Sequence, residues 1–238
     1  MGFFDFITDL PRYRDRPYAV PRLNQRHAFL IAPFAEQISG ARVLDLGAHD
    51  GRWSYAFAGC GAREVIGIEA RAELIADFAD FPDAALRDRV QLRAADMFDA
   101  LQQAVDAGER FDVIAVFGVF YHIMDHFRLL SLIRQLQPGL VIIDSEFNMR
   151  PKPVIRLMRE ATENVLNAAP QFEGQDRAVK GIPSRSALEM MADALDFDLS
   201  WSDWQSLPTD AREGVQDYFR PKGRDMRRAT CSLWPRGD

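Results

Sequence analysis

The stretch that most constrains the fold of this chain runs from Val43 to Trp53. A short apolar run interrupted by an acid, Val43-Leu44-Asp45-Leu46, breaks into Gly47-Ala48-His49-Asp50-Gly51 and then into a segment of helical character. A buried parallel strand reads this way when it turns tightly and feeds a helix. Glycines at 47 and 51 keep side chains from holding a ligand away from the backbone. Eighteen residues past Gly51, Glu69 closes a second apolar run, Val65-Ile66-Gly67-Ile68. A carboxylate at that place accepts from both hydroxyls of a ribose. Strand, glycine loop, helix, strand and acid together predict a nucleoside site.

The charge of the loop selects among nucleosides. A dinucleotide fingerprint, G-x-G-x-x-G, needs its middle glycine so that the backbone can touch a pyrophosphate. Here His49 stands where that glycine would help, and Asp45 at the strand end would repel a diphosphate and suit a cation. The pattern D-x-G-x-x-x-G resembles motif I of the class I S-adenosylmethionine (SAM) methyltransferases. The resemblance implies a loop wrapped around the methionine part of SAM, whose ammonium and sulfonium are both positive. It places cofactor contacts at Asp45, Gly47, Ala48, His49 and Gly51, and at Glu69 and Ala70 after the second strand. His49 departs from the commonest motif, which has glycine there. A left-handed or bridge backbone tolerates histidine, and the loop faces the methionine end, so His49 reads as a loop residue rather than a base.

The alternation of strands and helices continues. Val90–Ala95 reads as a third strand, followed by Asp96-Met97-Phe98. The resemblance implies that Asp96 accepts from the adenine amino group while the Met97 amide donates to the ring; Asp96 also suits an N-cap. Asp112–Gly118 is apolar after its first residue, as a central parallel strand should be, and places Phe117 and Gly118 at its end beside the cofactor. A helix is expected from about Asp125 to Leu136, and Leu140–Glu146 reads as the fifth strand. Asp198–Trp204 and Arg228–Trp234 alternate as a closing antiparallel hairpin, which dinucleotide-binding folds lack. The expectation is one α/β domain, 41–238: a doubly wound, seven-stranded, mostly parallel Rossmann-like sheet with a C-terminal hairpin. Its ligand crevice lies beyond the carboxyl ends of the strands. Residues 1–40 read as a helical N-terminal extension or cap. Within it Pro11, Pro17 and Pro21 hold the chain extended from Arg12 to Arg26, and a helix follows from Gln25 to Ile38. Residues 147–180 read as a lid or acceptor insertion with a helix from Val154 to Leu166. Ser186-Ala187-Leu188-Glu189 resembles a capping box opening a further helix.

A net charge of −6 argues against a globally basic nucleic-acid binder, so no DNA partner is expected. Cys60 and Cys231 match no metal spacing, and no stretch is long and apolar enough to span a bilayer. With no basic region ahead of an apolar signal core, the cytoplasm is the expected location.

Phe117-Gly118-Val119-Phe120-Tyr121-His122 resembles the G-V-[LF]-Y-H segment of a narrower group that contains the tRNA wobble-uridine carboxymethyltransferases. The resemblance implies an acceptor side beyond the fourth strand, where His122 has the intrinsic pKa of a base and Tyr121 can orient or stack an acceptor. Two basic clusters, Arg150, Lys152, Arg156 and Arg159, then Arg220, Lys222, Arg224, Arg227 and Arg228, would suit an anionic acceptor, a small molecule or RNA. His122 and His126 lie four apart, but without a firm third ligand no metal site is expected. The functional expectation is methyl transfer from SAM. Carboxymethyl transfer to tRNA from a carboxylated SAM variant, or SAM binding without catalysis, are the alternatives; oligomeric state is not legible.

Overall fold

In a computed structural model, residues 2–219 and 225–237 are described. Nine strands form two sheets: β1 (Arg42–Leu46), β2 (Glu64–Glu69), β3 (Val90–Ala94), β4 (Val113–Phe117), β5 (Leu140–Asn148), β6 (Ile155–Ala161), β7 (Arg177–Pro183), β8 (Phe197–Trp201) and β9 (Met226–Pro235). The larger sheet has the order β3-β2-β1-β4-β5-β9-β8. Its first five strands are parallel, and β9 pairs antiparallel with both β5 and β8. This is the doubly wound seven-stranded sheet with a C-terminal antiparallel pair that the sequence predicts. The strand order reverses between β1 and β4, so the connections leaving these two strands diverge and open a crevice.

Both faces of the sheet are covered. On one face Val43, Val65, Val113, Ala115 and Ile142 pack with Trp53, Phe57 and the N-terminal residues Phe4, Ile7, Tyr13, Leu23 and Leu30. On the other, Leu44, Ile66, Ile114 and Ile143 pack with Leu129, Ile133 and Leu188. Alternate residues of one strand serve opposite faces, which is why these strands read as unbroken apolar runs.

Two local expectations are corrected. The arginine-rich N-terminal stretch is not extended: Pro11 opens a 3-10 turn, Pro11–Tyr13, and an α-helix runs from Ala19 to Leu30. Pro21 sits in the first turn, where backbone N–H groups have no intrahelical acceptor and a proline removes nothing. The expected helix 154–166 is replaced by β6, paired antiparallel with β7 from Ile155↔Pro183 to Ala161↔Arg177. Cross-strand pairing and burial on one face override a helical spacing of apolar residues. Glu160 and Ala178 point inward, whereas Ile155, Leu157 and Val179 remain exposed. The β6–β7 hairpin and the segment between its strands stand over the carboxyl ends of the main sheet, joined to β4's exit by a hydrogen bond from the Gly181 amide to the Ile123 carbonyl.

Candidate functional site

A cavity of about 1290 Å³ opens at the carboxyl ends of β1, β2, β3 and β4, under the segment 165–179. Pockets for drug-sized ligands measure roughly 300–1,000 Å³, so this space exceeds what one such ligand needs. Gly47, His49, Glu69, Ala70, Asp96, Met97, Phe117, Gly118, Tyr121 and His122 all line it. Loops that follow separate strands of a parallel sheet converge at one end, and thus residues distant in sequence meet here.

Glu69 ends β2 with both carboxylate oxygens anchored: Oε2 accepts from the His49 amide at 2.9 Å and Oε1 from the Arg71 amide at 3.0 Å. Each oxygen keeps a further lone pair for a ligand hydroxyl. Asp96 caps the helix Met97–Asp106 through Oδ1, which accepts from the Phe98 and Asp99 amides at 2.8 and 3.2 Å. Oδ2 bonds to no described residue, so capping and ligand contact are compatible.

The remaining motif residues stand behind the wall. Asp45, Ala48 and Gly51 are buried and do not line the cavity. Gly51, at φ +80°, is required by packing: a Cβ there would lie 2.5 Å from the Phe78 ring and 2.8 Å from a Leu92 methyl. Gly47, at φ +74°, meets Val119 in the same way at 2.8 Å. The glycines thus serve the turn and the protein's own side chains, not only a ligand's approach. His49 adopts the left-handed conformation, φ 56°. Its Nδ1 faces the Asp50 amide at 2.8 Å and an Arg52 guanidinium nitrogen at 2.6 Å. Two donors on Nδ1 place the ring proton on Nε2, which is buried without a partner.

Asp45 is the least comfortable group in the fold. It is fully buried; Oδ2 accepts from Ser54 Oγ at 2.7 Å and Oδ1 has no hydrogen-bond partner. Burial pushes its carboxyl up to about 6, against the Ser54 bond that favours the anion.

The acceptor-side residues meet as the sequence suggests, but their partners come from elsewhere. Tyr121 and His122 form a short 3-10 turn after β4, with ring centroids 4.0 Å apart. His122 Nδ1 is 2.6 Å from Glu160 Oε1 on β6, a partner hidden in the sequence by the helical spacing of apolar residues over 154–166. The arginines near Tyr121 also differ from expectation. Arg150 and Arg156 are exposed and lie outside the cavity wall, Arg156 pairing with Asp225 at 2.7 Å. Their β5 exit and β6 positions direct them to solvent. Arg220, Lys222 and Arg224 lie outside the described residues.

Arg228 of the second cluster does line the wall, together with Arg22, Arg26, Arg52, Arg71 and Arg128, which lie outside both clusters. Asp144, fully buried in the middle of β5 beside the last residue of β4, organises the innermost pair. Its Oδ1 accepts from Arg26 Nη2 at 2.8 Å and Arg228 Nη1 at 2.7 Å, and its Oδ2 from Tyr218 and Thr230 hydroxyls at 2.6 and 2.8 Å. Asp217 joins Arg22 and Arg228 at 2.9 and 3.0 Å. Three arginines against two carboxylates leave this cluster one positive charge in excess. Arg26 also stacks on Trp53 at 4.8 Å, and Arg228 lies 5.5 Å over the Tyr121 ring. His126 faces the Met124 and Phe120 carbonyls, at 3.1 and 3.0 Å.

The fold has counterparts among known proteins. The family model described as "Methyltransferase domain" matches residues 14–199. Over 115 residues the chain is 36% identical to the ubiquinone biosynthesis O-methyltransferase of Cereibacter sphaeroides, covering 48% of this chain and 44% of that protein. Over 198 residues it is 28% identical to the tRNA U34 carboxymethyltransferase of Pseudomonas aeruginosa, covering 75% of this chain and 56% of that protein. The chain thus spans about half the length of these curated relatives. The N-terminal domain of EvdMO1, solved with SAH and D-fucose, superposes with a TM-score of 0.62 at 18% identity, covering 91% of this chain and 83% of that one. At that identity the likeness is one of fold.

Proposed function

The chain belongs to the methyltransferase-domain family, and from that premise we propose that its cavity binds S-adenosylmethionine and moves the methyl group to a small anionic acceptor. When bound, this cofactor supplies an electrophilic methyl group on a sulfonium already primed to leave. The observation that carries the reading is Asp45, a fully buried carboxylate with one oxygen unpaired directly beneath the glycine loop. A fold that retains such an anion gains from it only when a cation arrives, because the field of a buried charge is poorly screened. A diphosphate would meet repulsion in the same place.

Each wall residue then has a task. Glu69, held by two amides, takes the ribose hydroxyls; Asp96 Oδ2 and the Met97 amide take the adenine edge. Gly47 and His49 form the turn around the methionine end, and Phe117, Gly118 and Ala70 complete the nucleoside's walls. Methyl transfer is an in-line displacement, so the protein's work is alignment and exclusion of water. Tyr121 orients the acceptor, and His122 accepts its proton where it carries one. Arg26 and Arg228 hold its anionic group. These arginines are 8% exposed, inside the cavity, and that favours a small carboxylate or phosphate over a long nucleic acid. The tRNA reading, with a carboxymethyl group transferred, draws support from the Tyr121-His122 segment and from the likeness to the tRNA U34 carboxymethyltransferase of P. aeruginosa.

Asp45→Asn tests the charge argument. The native carboxyl, at about 6, lies above its ordinary 3.8. As pH falls from about 6 the native state therefore takes up a proton before the unfolded chain does, and stability rises until about pH 4. At neutral pH the buried anion costs about 3 kcal/mol at one pKa unit per ~1.4 kcal/mol. The asparagine keeps an acceptor for Ser54, so the ligand-free variant should melt higher at pH 7 and lose this pH dependence. Its stabilisation by SAM should shrink. Undiminished stabilisation by SAM would contradict the role given to the charge.

A further inference from the structure

The hairpin over the cavity carries one carboxylate inward. Glu160 on β6 is 9% exposed, with Oε1 2.6 Å from His122 Nδ1 and Oε2 2.7 Å from Lys180 Nζ on β7. Its Oε1 also accepts from the Ala168 amide at 2.8 Å, within the segment that roofs the cavity. Burial pushes the Glu160 carboxyl up, but the bonds from His122, Lys180 and Ala168 outweigh it and hold it at about 2. It is a carboxylate throughout the neutral range. The same roof is tied from the opposite side: Arg71, two residues after Glu69, donates from Nη2 to the Thr162 carbonyl at 2.7 Å, with the Ala168 carbonyl at 3.4 Å.

A histidine whose Nδ1 meets a carboxylate keeps its proton on that nitrogen and presents a lone pair on Nε2. His122 lines the cavity, and its Nε2 makes no hydrogen bond to a described residue. The other groups facing this turn are Lys180, paired with Glu160; Tyr121, whose ring lies between Lys180 at 5.3 Å and Arg228 at 5.5 Å; and Asp125 on the rim.

Resting on the proposed methyl transfer, we propose that Glu160 is the positioning residue that fixes His122 as a proton acceptor, and that the acceptor is a hydroxyl compound. Glu160 belongs to the hairpin, so the base is complete only while the roof is seated and water is excluded. The acceptor oxygen forms its bond to the methyl carbon as the carbon–sulfur bond breaks and its electron pair leaves with sulfur. The hydroxyl proton passes to Nε2, and the resulting imidazolium is stabilised by the Glu160 carboxylate against Nδ1. An amine that reacts as its free base needs no such arrangement before the transfer.

Nitrogen-15 NMR of the full chain, with labelled histidine rings and saturating S-adenosylhomocysteine at pH 8.5, tests this. His122 is assigned by loss of its resonances in His122→Asn. The expected wild-type spectrum has the His122 proton on Nδ1, and in Glu160→Ala the ring redistributes towards the Nε2-protonated form. A wild-type proton on Nε2, or a tautomer unaffected by Glu160→Ala, overturns the proposal. The wild-type spectrum decides the matter even where the variant does not fold. S-adenosylhomocysteine binding, read separately by calorimetry, reports on the methyl-transfer reading; its failure with the expected tautomer intact would fault that reading and not the role of Glu160.

Discussion

Asp144→Ala should destabilise the protein by about 3–5 kcal/mol, because it removes the single carboxylate on which Arg26, Arg228, Tyr218 and Thr230 converge. What remains is Arg26 buried without its counter-ion and Arg228 left to share Asp217 with Arg22, and that penalty exceeds the loss of any one hydrogen bond. The attraction of Arg26 and Arg228 holds the Asp144 carboxyl below its ordinary range although burial opposes it. Its contribution is therefore present above the ordinary carboxylate range and is lost as pH falls through the depressed native value. Thermal melts at pH 7 check the prediction, with a fall in midpoint of about 10 °C or more for a chain of this size. A shift of only one or two degrees would mean that the arginines find other partners. Arg228 and Arg26 line the cavity, so surviving Asp144→Ala protein should also bind its anionic acceptor poorly.

His122→Ala should lower turnover on a hydroxyl acceptor by roughly 10²–10⁴-fold, the range for a general base. Affinity for S-adenosylhomocysteine should stay within a few-fold, because Glu69, Asp96 and Gly47 are untouched. The split between a lost rate and a kept affinity distinguishes a base from a residue that merely shapes the cavity. Single-turnover methyl transfer, set beside calorimetric titration, measures both halves. An unchanged rate would remove His122 from the chemistry.

The main sheet was legible because its strands are buried on both faces and its loops carry local signals. Asp45-x-Gly47 and Glu69 close their strands and Asp96 follows β3 by two residues, and parallel strands bring their ends together without further information. Glu69 and Asp96 accordingly line the cavity, while Asp45 does not: it lies beneath the loop. What could not be read came from long-range pairing. β6 spans Ile155–Ala161 and owes its existence to β7, sixteen residues further on, so local spacing pointed to a helix and hid Glu160. Pro21 misled in the opposite direction, since a proline in a first helical turn looks the same in sequence as one in an extended segment. The arginines show the same limit. Arg150 and Arg156 form a conspicuous cluster yet face solvent, whereas Arg26 acquires its role only through Asp144, which is 118 residues away.

The account depends on a cationic sulfur nucleoside entering the notch above β1 and β4, and calorimetry on the folded wild-type chain tests it most directly. Titration with S-adenosylmethionine is predicted to give a saturable heat at one site per chain, and titration with NAD none. Saturation by NAD with no heat from S-adenosylmethionine would contradict the assignment of the cavity.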